Sequence, residues 1–407
     1  MRAQPTSDKT SSLLRWREIP RGVWALGFVS LLMDLSSEMI HALLPLYLVT
    51  VLGASMVTVG VIEGIAEATT SIVKIFSGAL SDRLGKRKLL AAAGYGLAAF
   101  TKPVFPLAPT IAWLVAARLV DRIGKGIRGS PRDALIADLT APDLRGASFG
   151  LRQSLDTIGA VLGPMVAMAL MLLLADNFTA VFWIAVVPAF LSFGVILFFV
   201  SDPDRPAGTA PVKSPLARAE LGRLGRAYWL VVGVATIFTL ARFSEAFLLL
   251  RAQSVGLPLA LVPAVMVVMN VVYAATAWPA GALSDRIGRH GLLATGFALL
   301  VIADLVLAFG TSVAAIALGT ALWGLHMGLT QGLLASLVAD TAPADLRGTA
   351  FGMFNLITGV ATLAASIVAG ALWDAIGPGG TFLAGAAFTA VALAALPLAR
   401  RFDPSRR

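Results

Sequence analysis

The stretch GALSDRLGKR at residues 78–87 returns as GALSDRIGRH at 281–290, 203 residues later. A second block, ADLTAPDLRGASFG at 137–150, returns as ADTAPADLRGTAFG at 339–352 with an offset of 202. Two independent blocks at one spacing mark a duplicated half of about 200 residues, an arrangement seen in many transporter folds. Each block follows an apolar run of roughly 20 residues or more, the length a helix needs to cross about 30 Å of hydrocarbon.

Twelve such runs lie near 22–51, 56–80, 89–108, 110–138, 149–173, 179–200, 228–250, 258–282, 291–310, 312–339, 350–373 and 380–399. Composition agrees: 57% of the 407 residues are hydrophobic and 14% charged, and the mean hydropathy is +0.83. That leaves too little polar surface for a chain wetted on all sides. Alternating ten-residue strands are absent, so the expected fold is an all-α polytopic membrane protein with 12 transmembrane helices in two pseudo-symmetric six-helix bundles. The expected division is an N-terminal tail at 1–21, a first bundle at 22–200, a Pro-, Ala- and Arg-rich linker at 201–226, a second bundle at 227–399 and a tail at 400–407.

The net charge of +9 falls in the connections after even-numbered runs. Arg83, Lys86 and Arg87 follow the second, Arg145 the fourth, Arg286 the eighth and Arg347 the tenth. The opposite connections carry almost no Lys or Arg, so both termini are expected on the cytoplasmic face of the cell (inner or plasma) membrane. The charge is thereby explained without nucleic acid. There is no cysteine, which removes disulfides and thiol chemistry. The first twenty residues lack a cleavable leader's apolar core, so the first span is expected to direct insertion. No phosphate loop or nucleophile elbow is present, and an enzyme is not expected.

The loop G-x-L-S-D-R-x-G-[KR]-[RH], present twice, resembles the signature loop of the major facilitator superfamily, and the resemblance covers essentially the whole chain. Arg118 resembles that family's motif B arginine. Gly159-Ala-Val-Leu-Gly163-Pro164 is similar to the core of its motif C, associated with proton-exchanging exporters, although Met165–Met168 lack the trailing glycines. The run R-x-x-D-R-x-G-K-G-x-R-x-x-P-R-D at 118–133 resembles a branch whose members mostly have no assigned substrate. The resemblance implies alternating access, with two bundles rocking about a central cavity. It implies a conformational gate at Gly78, Asp82, Arg83, Gly85, Arg87, Asp138, Arg145, Gly159, Gly163, Pro164, Asp285, Arg286, Asp340 and Arg347. Asp82 suits a helix-end anchor, and Arg83 and Arg87 suit bridges across the bundle interface.

Charges inside the first half need a reason, since each costs roughly 2.5–3.5 kcal/mol at a helix centre. Asp34 and Glu38 share one face of the first span, and Glu63, Glu67 and Lys74 one face of the second. The fourth carries Arg118, Asp121, Arg122, Lys125, Arg128, Arg132 and Asp133. The first two spans sum to −3 and the fourth to +3, so the sets can neutralise one another in a buried ion network. At the repeat offset, Glu63, Glu67, Arg118, Asp121 and Lys125 align with Met266, Asn270, Thr320, Trp323 and Met327. The second half therefore folds without these charges, which points to function in the first.

A carboxylate in a desolvated cavity favours its neutral form, and a nearby cation reverses this. Asp34, Glu38, Glu63 and Glu67 are thus the expected proton-coupling residues. Lys74, Arg118, Asp121, Arg122, Lys125 and His41, with Asn270 and Trp323 opposite, are the expected substrate-cavity residues. The expected function is a monomeric secondary transporter in the lipid bilayer. It exports a small molecule against protons, driven by the proton gradient with no bound cofactor and no resident metal. Two alternatives remain open: a divalent metal-ion exporter, for which the acids and His41 supply ligands, and a proton-coupled importer of an anionic or zwitterionic solute.

Overall fold

The computed structural model describes residues 18–84, 86–141, 144–202, 221–287, 289–343 and 346–400. The chain is helical from end to end, with no strand among the described residues. Its first half contains α1 (Arg21–His41), α2 (Leu44–Thr50), α3 (Met56–Leu84), α4 (Arg87–Thr101), α5 (Val104–Leu107), α6 (Ile111–Leu139), α7 (Arg145–Leu173) and α8 (Phe178–Phe199). The second half contains α9 (Arg226–Ala241), α10 (Ala246–Ser254), a 3₁₀ turn (Leu259–Leu261), α11 (Ala264–Ile287), α12 (Arg289–Phe309), α13 (Val313–Thr341), α14 (Arg347–Ile376) and α15 (Pro378–Arg400).

Ten of these segments are long and apolar enough to cross a membrane. The expected spans at 89–108 and 110–138 fall short of that test for different reasons. The first is cut at Lys102-Pro103 into α4 and α5, because proline cannot donate into the helix and its ring crowds the preceding turn. The second, α6, is 29 residues long but too heavily charged. Its charges recur at spacings of three and four residues, and Arg118, Asp121, Arg122, Arg128 and Arg132 are all buried on one face.

Two more expected spans are broken, at equivalent places in the two halves. The first parts at Ala42–Leu43, ahead of Pro45. The seventh parts at Arg242–Glu245 with no proline present. There side-chain hydroxyls take the backbone donors: Ser244 N–H donates to Ser366 Oγ (3.2 Å) and Ala246 N–H to Ser244 Oγ (3.2 Å). Such local bonds compete with the helical ladder, and irregular backbone at membrane depth is tolerated where it lines a cavity.

Small residues set the helix spacing. A Cβ on Gly159 of α7 would lie 2.6 Å from the Leu31 carbonyl of α1, and one on Gly163 2.6 Å from Glu38 Cβ. Backbones approach this closely only where small residues meet. Between the halves, Gly60 of α3 abuts the Ser366 carbonyl of α14, and Gly370 of α14 abuts Met56. This α3–α14 seam continues through Gly359 against Ser71 to Gly352 beside Ile75.

At the end of that seam far from the chain termini, Asp374 of α14 accepts from the backbone N–H of Met56 (Oδ1, 3.1 Å) and Val57 (Oδ2, 2.9 Å). One half thus caps a helix of the other, an arrangement favoured by the unsatisfied donors and positive dipole end of α3. Contacts of α2 with α10, and of α7 with the 3₁₀ turn, complete the closure at this end.

Candidate functional site

A cavity of about 340 Å³ lies between the halves. From the first half it is lined by Glu38, His41, Glu63, Glu67, Ser71, Arg122, Lys125 and Ala160. The second half supplies Thr239, Arg242, Phe243, Ser244, Glu245, Met266, Asn270, Thr358, Gly359 and Thr362. The helix break at Arg242–Glu245 therefore faces the cavity, and α6 brings its charged face to the other wall.

The charges of the first half form a ladder along α6. Near its start, Arg118 Nη2 donates to Glu63 Oε2 (2.7 Å), and both groups are almost fully buried. The same carboxylate meets His41 Nε2 at 3.5 Å, while His41 Nδ1 lies 3.2 Å from Glu38 Oε2. His41 thus joins two acids into one chain. One turn further, Lys102 Nζ donates to Asp121 Oδ1 (2.8 Å) and Ser37 Oγ (3.0 Å). Arg122 faces Glu67 at 3.4 Å and Asp121 at 3.8 Å. Glu67 is 42% exposed while Arg122 is 2% exposed, and Arg122 Nε and Nη2 lack a hydrogen-bond partner among the described residues.

Past Lys125 the ladder turns toward the termini. Arg128 pairs with Asp34 at 3.5 Å and lies over the Tyr95 ring, 4.7 Å from its centroid. Arg132 reaches Asp133 (3.0 Å) and Asp156 (3.8 Å), and donates to Ser30 Oγ (3.1 Å). Arg152 pairs with Asp156 at 3.2 Å. Buried pairs of this kind are costly to break singly, because the survivor is left as an uncompensated charge.

Of the expected proton-coupling residues, Glu38, Glu63 and Glu67 line the cavity, together with His41, Arg122, Lys125 and Asn270. Asp34 does not; Arg128 holds it nearer the termini. Arg118 and Asp121 are packed behind the wall in ion pairs. Lys74 lies outside the cavity, exposed beside Gly129 of α6. It shares the helical face of Glu63, but 11 residues of rise carry it about 16 Å along the axis. Trp323 is packed in the core of the second half against Phe243 and His326, because that half presents small and apolar residues where the first presents charge. Asn270 Nδ2 donates across the interface to the Ala160 carbonyl (3.4 Å).

The expected gate residues divide as well. Arg87 bonds Asp138 Oδ2 (2.7 Å) and the Ala134 carbonyl (2.8 Å), bracing α4 against α6 in its own half. It opens α4, which packs on both α6 and α8. Gly159 and Gly163 pack α7 on α1, and Pro164 is buried in α7; these too are contacts within the first half. Gly78 lies beside Ser130 of α6, while Arg145 and Asp340 are exposed. Gly85 and the side chains of Asp82, Arg83, Asp285, Arg286 and Arg347 lie outside the described residues, as do 203–220 of the linker.

Four charged residues were not among the expected site. Arg242 and Glu245 line the cavity; as charges within the seventh span they were visible in the sequence, though not assigned to the site. Lys102 is the lone charge of the third span, and nothing in its spacing points to Asp121. Asp304 of α12 is fully buried, with both carboxylate oxygens unpartnered among the described residues.

A twelve-span bundle with a polar cavity between its halves has counterparts. The family profile described as Major Facilitator Superfamily matches residues 26–361 and 232–407. The chain belongs to the major facilitator superfamily. It is 34% identical to the MFS-type transporter MJ1317 of Methanocaldococcus jannaschii over 91% of this chain and 92% of that protein. It is 30% identical to the multidrug resistance protein MdtH of Yersinia enterocolitica over 48% of each. Its fold matches the solved nucleoside transporter NupG with a TM-score of 0.79 at 14% identity, covering 93% of this chain and 99% of that one. This superfamily member is a multi-pass membrane transporter acting on a small-molecule substrate, and not an enzyme.

Proposed function

We propose that this chain is a proton-coupled antiporter that exports a small molecule across the inner membrane by alternating access, as a monomer with both termini cytoplasmic. The observation that carries the reading is the Glu67–Arg122 pair. A half-exposed carboxylate faces the cavity at 3.4 Å from a buried guanidinium with uncommitted N–H groups. Solute and proton compete for the exposed Glu67 carboxylate: a solute that donates to it displaces the proton and leaves the carboxylate ionised beside Arg122, and departure of the solute lets a proton return. The Glu38–His41–Glu63 chain adjoins the same cavity and extends the proton's path. The export direction is supported by the likeness to MdtH and by the motif C core. No cofactor is required beyond the proton gradient.

A divalent-metal reading has less behind it, since the three ligand-type side chains that meet, Glu38, His41 and Glu63, are held by one another and by Arg118. The test is Glu67→Gln in vesicles carrying a pH gradient, with binding measured in parallel. The variant is expected to bind its solute and lose gradient-driven transport. Undiminished gradient-driven flux would remove Glu67 from the coupling step.

A further inference from the structure

The cations around the cavity are not equally occupied. Arg118 is taken by Glu63, Arg122 by Glu67, and His41 by Glu38 and Glu63. Lys125 of α6 and Arg242 at the α9–α10 break both line the cavity. Neither has an ion-pair or side-chain hydrogen-bond partner among the described residues, and Arg242 Nε is buried without one. One comes from each half. The geometry points to an organic anion as the transported solute, its carboxylate or phosphate-type group held between Lys125 and Arg242. This deepens the transport reading above and rests on it.

The cost of breaking existing ion pairs favours an anion over a cation. The acids Glu38, Glu63 and Glu67 already hold positive partners. A cation entering among them must displace His41, Arg118 or Arg122 and strand a buried charge; Glu245 could take one without such a loss, but it stands alone against two unpaired cations. An anion entering between Lys125 and Arg242 displaces no ion pair and gives each a direct one. Glu245, three residues beyond Arg242, is the cavity carboxylate without an ion pair among the described residues. It faces Glu38 and Glu67 across the cavity and tempers the positive field on the Arg242 side.

The remaining wall suits an organic body. Phe243 and Met266 give apolar contact, while Asn270, Thr358 and Thr362 offer amide and hydroxyl groups. Cavities of roughly 300–1,000 Å³ hold small molecules, and this one falls at the lower end. Because the two cations belong to different halves, a bound anion also ties the halves together. Binding and the approach of the bundles then become one event.

The test is calorimetric titration of purified protein in lipid nanodiscs. The probes are benzoate and glutarate as carboxylates, phenyl phosphate as a phosphate ester, and tetraphenylphosphonium as a cation. At least one anion is expected to bind with a Kd below about 1 mM and more tightly than tetraphenylphosphonium. Lys125→Gln and Arg242→Gln should each weaken it about tenfold or more, with Lys125→Arg and Arg242→Lys recovering most of the loss. Which anion binds separates carboxylate from phosphate chemistry. Tighter binding of the cation, no anion below the millimolar range, or equal anion affinity in both glutamine variants would each overturn the proposal. Vesicle flux separates this from the transport reading. An anion that binds as expected but is never moved retires proton exchange and leaves the anion site standing. A cation moved equally by wild type and both glutamine variants retires the anion site and leaves the transporter.

Discussion

Lys102 and Asp121 show what a single side chain does in this protein. They meet at 2.8 Å behind the cavity wall, almost fully buried, and Ser37 completes the lysine's coordination. Replacing Lys102 with methionine keeps the volume and leaves Asp121 facing only Arg122 at 3.8 Å. The expected loss is about 3–5 kcal/mol, while the double variant Lys102→Met/Asp121→Leu recovers most of it. Thermal unfolding in detergent decides this, and a single variant as stable as wild type would count against the pair. Glu67, Arg122 and Lys125 were legible in the sequence because the second copy of the repeat lacks charge at those positions. Lys102 was not, since a lone lysine has no periodic partner and Asp121 comes from another helix. Lys74 was misplaced for a different reason: helical period fixes the face of a residue but not its depth.

Helix spacing is set at α7, where Gly159 and Gly163 let α1 approach within backbone contact. Gly159→Leu places a branched side chain against the Leu31 carbonyl and Asp34, and overpacking of this kind costs about 1–3 kcal/mol. Gly150→Ala on the same helix meets nothing within 4 Å and is expected to be neutral. Comparison of the two by thermal unfolding and monodisperse yield checks the argument; equal behaviour would refute it. Ten of the twelve expected spans followed from apolar length alone. The breaks did not follow as evenly. Pro45 and Pro103 advertise two of them, whereas the break at Arg242–Glu245 depends on Ser366 from a helix more than 100 residues away. That break supplies Arg242 and Glu245 to the cavity, so the part of the site hardest to read is the part made by tertiary contact.

For the whole molecule the controlling contact is the cap that Asp374 places on the start of α3. Asp374→Ala removes two acceptors and about 1 kcal/mol, roughly a fivefold change in the balance between closed and open far ends. The absence of cysteine makes this directly measurable. Spin labels at Val51→Cys and Ile376→Cys, both exposed, should show a longer distance component in the Asp374→Ala background. An unchanged distribution would mean the cap does not set that balance.

The ion pairs along α6 that reach another helix tie α1, α3, α4, α6 and α7 of the first half to one another. The core of the second half is stacked rings and aliphatic side chains, with Phe238 on Phe297 and Phe243 on Phe382 and Trp323. The two halves are thus held by different forces: an ion pair is lost when either partner goes, whereas apolar packing accepts exchanges of equal volume. The first half is therefore the less forgiving of change.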